Sequence, residues 1–228
     1  MTGTFLNMAT VLVGGGLGLL LGKWIPERIR ETVLKGLGLL TLVVGMQMAL
    51  KTGNVLILMG SALVGGIIGE ALSIQGRLDR LGAALQTRFS GGAESRFSEG
   101  FVTASLVFCV GPMAIMGAIQ DGLSGDYQLL AIKSMLDGFA ALAFAAALGA
   151  GVLFSIATIL LYQGGISLGA AHLEGVLTPP MIDEMTASGG LIVLGIGFVI
   201  LDLMHPRVAN FLPALAIAPL LVKFVAWI

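Results

Sequence analysis

Residues 1–22 read MTGTFLNMATVLVGGGLGLLLG, without one charged side chain. A helix of about 20 apolar residues crosses a bilayer core, so this stretch is long enough to span. No basic residue precedes its apolar run, and it reads as a span that stays, not as a cleaved leader. Gly14, Gly18 and Gly22 recur every fourth residue, the spacing that lets helices approach closely in lipid. A backbone lining a narrow pore is the other use of such a stripe.

Further charge-free stretches follow at 36–50, 52–69, 100–120, 138–173, 185–201 and 208–222. Over 228 residues, 57% are hydrophobic and 11% charged, against about 25% charged in a soluble domain. An all-α, polytopic transmembrane bundle follows. The net charge of −1 offers no basic field for nucleic acid. Cys109 has no second cysteine to pair with, and His172 and His205 are too few for a histidine cage. No metal and no cofactor is expected, and Cys109 reads as a small buried hydrophobe.

The long stretch 138–173 exceeds one span. Taken from about Ala131, it divides into two at Gly149-Ala150-Gly151, giving eight spans; one long tilted helix would give seven. Lys23, Arg28, Arg30 and Lys35 share the first loop, and Arg77, Arg80, Arg88 and Arg96 the third. The positive-inside rule puts both loops in the cytoplasm and the N-terminus outside. The loop of Glu174, Asp183 and Glu184 then falls outside with Asp121 and Asp126. From Arg77 to Phe89, Leu78, Leu81, Leu85 and Phe89 repeat at helical spacing. That pattern describes an amphipathic helix on the cytoplasmic headgroups, ended by Ser90-Gly91-Gly92.

The chain also matches itself. A shift of 148 pairs Gly3 with Gly151, Ala9 with Ala157, Thr10 with Thr158 and Leu12 with Leu160, and sets Asn7 on Ser155. A shift of 152 pairs Gly45 with Gly197, and one of 156 pairs Asn54 with Asn210. Spans 1–3 thus repeat as spans 6–8, and because span 6 enters from the opposite side, the repeat is inverted. The expected organisation is a single membrane domain: repeat 1 over 1–72, a cytoplasmic amphipathic connector over 73–99, a central helix pair over 100–149 and repeat 2 over 150–228. Inverted repeats are the architecture of many secondary transporters, with the site near the midplane.

Polar residues inside spans are few. Gly111-Pro112 interrupts the fourth, because proline removes a backbone donor and clashes with the preceding turn. The result is either a packed kink or a discontinuous helix whose freed carbonyls bind an ion. Gln120-Asp121-Gly122 and Gly125-Asp126 follow, readable as a ligand turn or a plain outer loop. Lys133 and Asp137 lie one helical turn apart, with Ser134 on the Asp137 face. Charges within a span face a partner or a water-filled cavity, so the two are a neutralising pair or a proton or cation site gated by that pair. The repeat spans add Asn7, Thr10 and Gln47 from the first half, and Tyr162, Gln163, Asn210 and Pro213 from the second. Glu70 and Asp202, at span ends, read as solvated residues. Pro213 and Pro219 break the last span. Gly165-Ile166-Ser167-Leu168-Gly169 matches the hydrolase elbow pattern, but that motif needs a strand–turn–helix and no strand is expected, so no enzyme is.

The runs Gly3-Thr4…Asn7, Cys109-Val110-Gly111-Pro112-Met113-Ala114-Ile115, Gln120-Asp121-Gly122 with Gly125-Asp126, Lys133-Ser134 with Asp137-Gly138, Tyr162-Gln163-Gly164 and Asn210-Phe211-Leu212-Pro213-Ala214-Leu215 carry a resemblance. Over essentially its whole length the chain resembles the bacterial inner-membrane family catalogued as domain of unknown function 554. Phe211 departs from the aliphatic residue expected there. The resemblance implies a polytopic bacterial protein, loosely regarded as a transporter, and transfers no substrate or catalytic residue.

The expected function is that of a secondary transporter or ion-conducting protein for a small solute or cation. Its site would combine Asn7, Gly111, Pro112, Asp121, Asp126, Lys133, Ser134, Asp137, Gln163 and Asn210. A non-transporting scaffold or accessory subunit is the alternative. Expected partners are the lipid bilayer and an unidentified small solute or ion; self-association into a homo-oligomer stays open.

Overall fold

The computed structural model describes residues 1–89, 96–173 and 176–225. Twelve α-helices and no strands occur among the described residues. In order they are α1 (Thr2–Gly22), α2 (Glu27–Ala49), α3 (Val55–Ala71), α4 (Ile74–Phe89), α5 (Phe97–Cys109) and α6 (Pro112–Ser124). Then come α7 (Gln128–Leu148), α8 (Gly151–Ile159), a π-helical turn (Leu160–Gly164), α9 (Gly165–Leu168) and α10 (Ala170–Leu173). Last are α11 (Pro179–Ile200), a 3-10 turn (Val208–Phe211) and α12 (Ala214–Val225).

Six stretches among the described residues are long and apolar enough to cross a membrane, and the number is eight when each of two bent pairs, α3–α4 and α5–α6, is counted as one span. Large apolar side chains line the outside: Phe5, Leu12 and Val13 on α1, and Val55, Leu63 and Ile67 on α3, are exposed. An apolar exterior of this extent suits lipid as the solvent and not water. The stretch 138–173 is two helices, because α7 stops at Leu148 and Gly149 turns the chain at φ 87°, a conformation glycine adopts at little cost. Where the sequence suggests a start near Ala131, α7 already begins at Gln128.

The contacts divide the chain into two units, the first built from 1–37, 79–109 and 113–174. In it the stripe of α1 fits the backbone of α7. A Cβ added to Gly14 would overlap the Gly138 carbonyl oxygen, one on Gly18 that of Leu142, and one on Gly22 would sit 2.9 Å from that of Ala146. Both members of each pair advance together, so α1 and α7 run parallel. Gly15 meets Leu153 and Asn7 meets Gln163, which makes α8 antiparallel to α1. The bent α5–α6 pair starts beside the far end of α7, where Gly100 touches Leu148. It ends beside the near end, where Gly117 touches Leu130 and Asp121 accepts from Gly3. The pair therefore crosses rather than re-enters, despite its 62° bend. Pro112 is the first residue of α6, where the donor it lacks is not needed.

The second unit comprises 38–78, 110–112 and 175–228. Here Gly45 packs on Leu194, Leu42 on Gly197, Gly38 on Leu201 and Ala49 on Gly190, so α2 and α11 are antiparallel. Gly65 and Gly69 press on Ala214 and Asn210, which makes α3 antiparallel to α12. Met48, Val110 and Val193 form a buried cluster.

Two loop expectations are corrected. Asp183 and Glu184 are not in a loop but inside α11, which Pro179-Pro180 starts two residues after Leu177. Asp121 is buried within α6, and only Gly125, at φ 72°, and its neighbours turn. On α4, Leu78 and Leu85 are half-buried and Leu81 is exposed. The side chain of Phe89, the Ser90-Gly91-Gly92 ending and Glu174 lie outside the described residues.

Candidate functional site

Burial of an ionic pair between helices is costly unless both partners are matched and hydrogen-bonded. In the first unit Lys133 and Asp137 meet that condition. Both are buried on α7, and the Lys133 ammonium donates to Asp137 Oδ2. Asp137 lies nine residues past Gln128 in a helix of 21, near its middle.

Two further helices supply the remaining partners. Asn7 is fully buried on α1 and splits its amide protons: one goes to Asp137 Oδ2 at 2.9 Å, the other to Gln163 Oε1 at 3.1 Å. Gln163 in turn donates to Thr4 Oγ1 at 3.4 Å. Asn7 Oδ1 has no donor among the described residues. Gln163 reaches the cluster from the π-helical turn, where the widened ring shifts its register from that of α8; such bulges recur at functional sites. Chemically, the arrangement is a carboxylate and an ammonium sharing one proton-rich contact, beside an amide oxygen with no donor.

Of the ten expected site residues, Asn7, Lys133, Asp137 and Gln163 come together. Ser134 is buried beside them but donates back to the Leu130 carbonyl at 2.6 Å. Asp121 sits at the start of α1, where its carboxylate accepts from the Gly3 N–H at 3.0 Å and faces the Met1 amine at 3.2 Å. Asp126 is exposed and accepts from the Gln128 N–H, a turn-closing contact. Gly111, Pro112 and Asn210 belong to the second unit. There Asn210 donates to Glu70 and accepts from the Gln75 N–H. Glu70 also pairs with Arg207, so it is more than a solvated span end.

Thr4, which the sequence offers only as part of the run Gly3-Thr4…Asn7, joins the cluster because it lies three residues before Asn7 and so on its face. Glu184, expected in a loop, is a buried helical acid. Its buried carboxylate accepts from Thr52 Oγ1, the Gly53 N–H at 2.7 Å and the Asn54 N–H at 2.9 Å, covering donors at the start of α3. The adjacent Pro179-Pro180 was the available signal, since proline marks a helix start.

A family model described as "Protein of unknown function (DUF554)" matches residues 2–223. "Uncharacterized protein YqgA" of Escherichia coli (strain K12) is 34% identical over 230 aligned residues, which cover 99% of this chain and 98% of that protein. "Uncharacterized membrane protein YdfK" of Bacillus subtilis (strain 168) is 27% identical over 226, covering 97% and 96% respectively. No solved structure matches.

Proposed function

Because this membrane protein belongs to the DUF554 family, whose name assigns no activity, we propose a function from its own polar interior: a secondary transporter or ion-conducting protein for a proton, a cation or a small solute. The observation that carries this reading is the buried Lys133–Asp137 pair, tied by Asn7 and Gln163 across three separate helices. A scaffold packed by glycines gains nothing from ionic groups at that depth, and ionisable residues within spans mark ion or substrate pathways. Asp137 exchanges the proton or cation, and Lys133 is the internal counter-ion that occupies the carboxylate meanwhile. Purified protein in liposomes, under an imposed proton, sodium or potassium gradient, should dissipate that gradient, and Asp137→Asn should not. No flux, or an unchanged Asp137→Asn rate, ends the proposal.

The setting is a bacterial inner membrane, with the N-terminus outside and the basic loops in the cytoplasm. Spans α1–α3 and α8–α12 form an inverted repeat in this reading. Supporting it, the 152-residue shift carries the contact of Gly45 with Leu194 onto that of Gly197 with Leu42, and Gly38 with Leu201 onto Gly190 with Ala49. Such exchange of roles is what a twofold relation produces.

One observation favours the scaffold reading: the polar groups largely satisfy one another. Under it Asp137→Asn costs stability and abolishes no flux, so the same experiment separates the two.

A further inference from the structure

A cavity distinct from the polar cluster opens at the C-terminal end of α1. It has a volume of about 580 Å³ and lies within the first unit, in the size range of small-molecule sites. Its floor is apolar: Leu19 and Leu20 from α1 face Ala145 and Ala146 from α7. Gly16 leaves it open, because a Cβ there would meet nothing within 4 Å. Its mouth is basic, since Lys23 and Arg30 line it.

The two cations are differently placed. Arg30 is held across the opening, its Nε donating to the Ala147 carbonyl at 3.0 Å at the end of α7. One of its terminal nitrogens stands 3.6 Å from the exposed Glu27 carboxylate. The Lys23 ammonium has no hydrogen-bond or ion-pair partner among the described residues. It follows the last residue of α1 and so sits where a span meets the headgroups, with Trp24, highly exposed, beside it as an interfacial aromatic. A slot that is apolar at depth and cationic at its rim is complementary to one chemistry, an acyl chain carrying a phosphate.

The geometry points to a binding site for one anionic phospholipid, its phosphate on Lys23 and Arg30 and its acyl chain over Gly16, Leu19 and Leu20. Basic pockets between spans on the cytoplasmic side take anionic headgroups. The lipid is favoured over a free phosphate because the larger part of the lining is hydrocarbon. The site does not depend on transport at Asp137.

The test is native mass spectrometry of the detergent-solubilised protein titrated with dioleoyl phosphatidylglycerol or dioleoyl phosphatidylcholine, with glycerol phosphate as a soluble competitor. Each basic side chain should contribute about fivefold in affinity. Wild type should retain phosphatidylglycerol over phosphatidylcholine, Lys23→Gln should lose about fivefold of that preference, and glycerol phosphate should not displace the lipid. Arg30 also caps α7, so the fold-neutral companion is Gly16→Leu, which fills the slot without touching a charge. It should weaken both lipids. Equal retention of the two lipids by wild type, displacement by glycerol phosphate, or indifference to both Lys23→Gln and Gly16→Leu overturns the site.

Discussion

Asp137 accepts from Lys133 on its own helix and from Asn7 on another, and all three are buried. Removing one member of such a pair strands the other charge, at about 3–5 kcal/mol. Asp137→Asn should therefore lower the thermal midpoint in detergent markedly. Lys133→Met added to Asp137→Asn should recover most of that loss, since no charge is left buried. Flux should stay absent in both. A double variant that regains stability and flux together would make the pair purely structural. The residues legible beforehand were those with charge or spacing to betray them, Lys133, Asp137 and Asn7. Gln163 was expected in the same site, but the hydrogen bond that joins it to Asn7 was not legible, because that depends on the π-helical turn and on α8 running back along α1.

At the scale of elements, small residues decide which helices touch. Gly18 sits against the Leu142 backbone, whereas Gly16 on the same helix meets nothing within 4 Å. Gly18→Leu should destabilise by about 1–3 kcal/mol or more, as overpacking does, while Gly16→Leu should leave the thermal midpoint nearly unchanged. Equal losses would mean that the stripe is not the α1–α7 contact. The start of α3 depends on a remote acid. Glu184→Ala leaves the Gly53 and Asn54 N–H groups without that acceptor, at about 1.5–3 kcal/mol for each hydrogen bond to a charged group. Glu184→Gln, which keeps one acceptor oxygen, should lose less; both are read as shifts in thermal midpoint. The glycine spacing was visible in the sequence. Which glycine faced a neighbour and which faced a cavity was not, since both lie within the same helix and differ only in what another helix places opposite.

For the whole molecule, the direction of packed helices limits how the chain crosses. Helices α1 and α7 run parallel, so an odd number of crossings must separate them, and α2, α3 and the bent α5–α6 pair provide three. With the N-terminus outside, an impermeant thiol reagent applied to intact spheroplasts should label Asp126→Cys and not Arg88→Cys, both in a Cys109→Ser background. The reverse pattern would invert the orientation. Membrane class, the eightfold hydropathy pattern and the break between Leu148 and Gly151 were all written in composition and local sequence, because lipid imposes its demand on each segment separately. Family membership was legible too, in runs such as the one from Cys109 to Ile115. Tertiary structure alone decided that Glu184 is a buried cap, and that four of ten candidate residues share one hydrogen-bonded cluster. Those outcomes depend on backbone approach and hydrogen bonding between segments more than 100 residues apart, such as Asn7 and Asp137, and no local pattern encodes which distant partner will stand opposite.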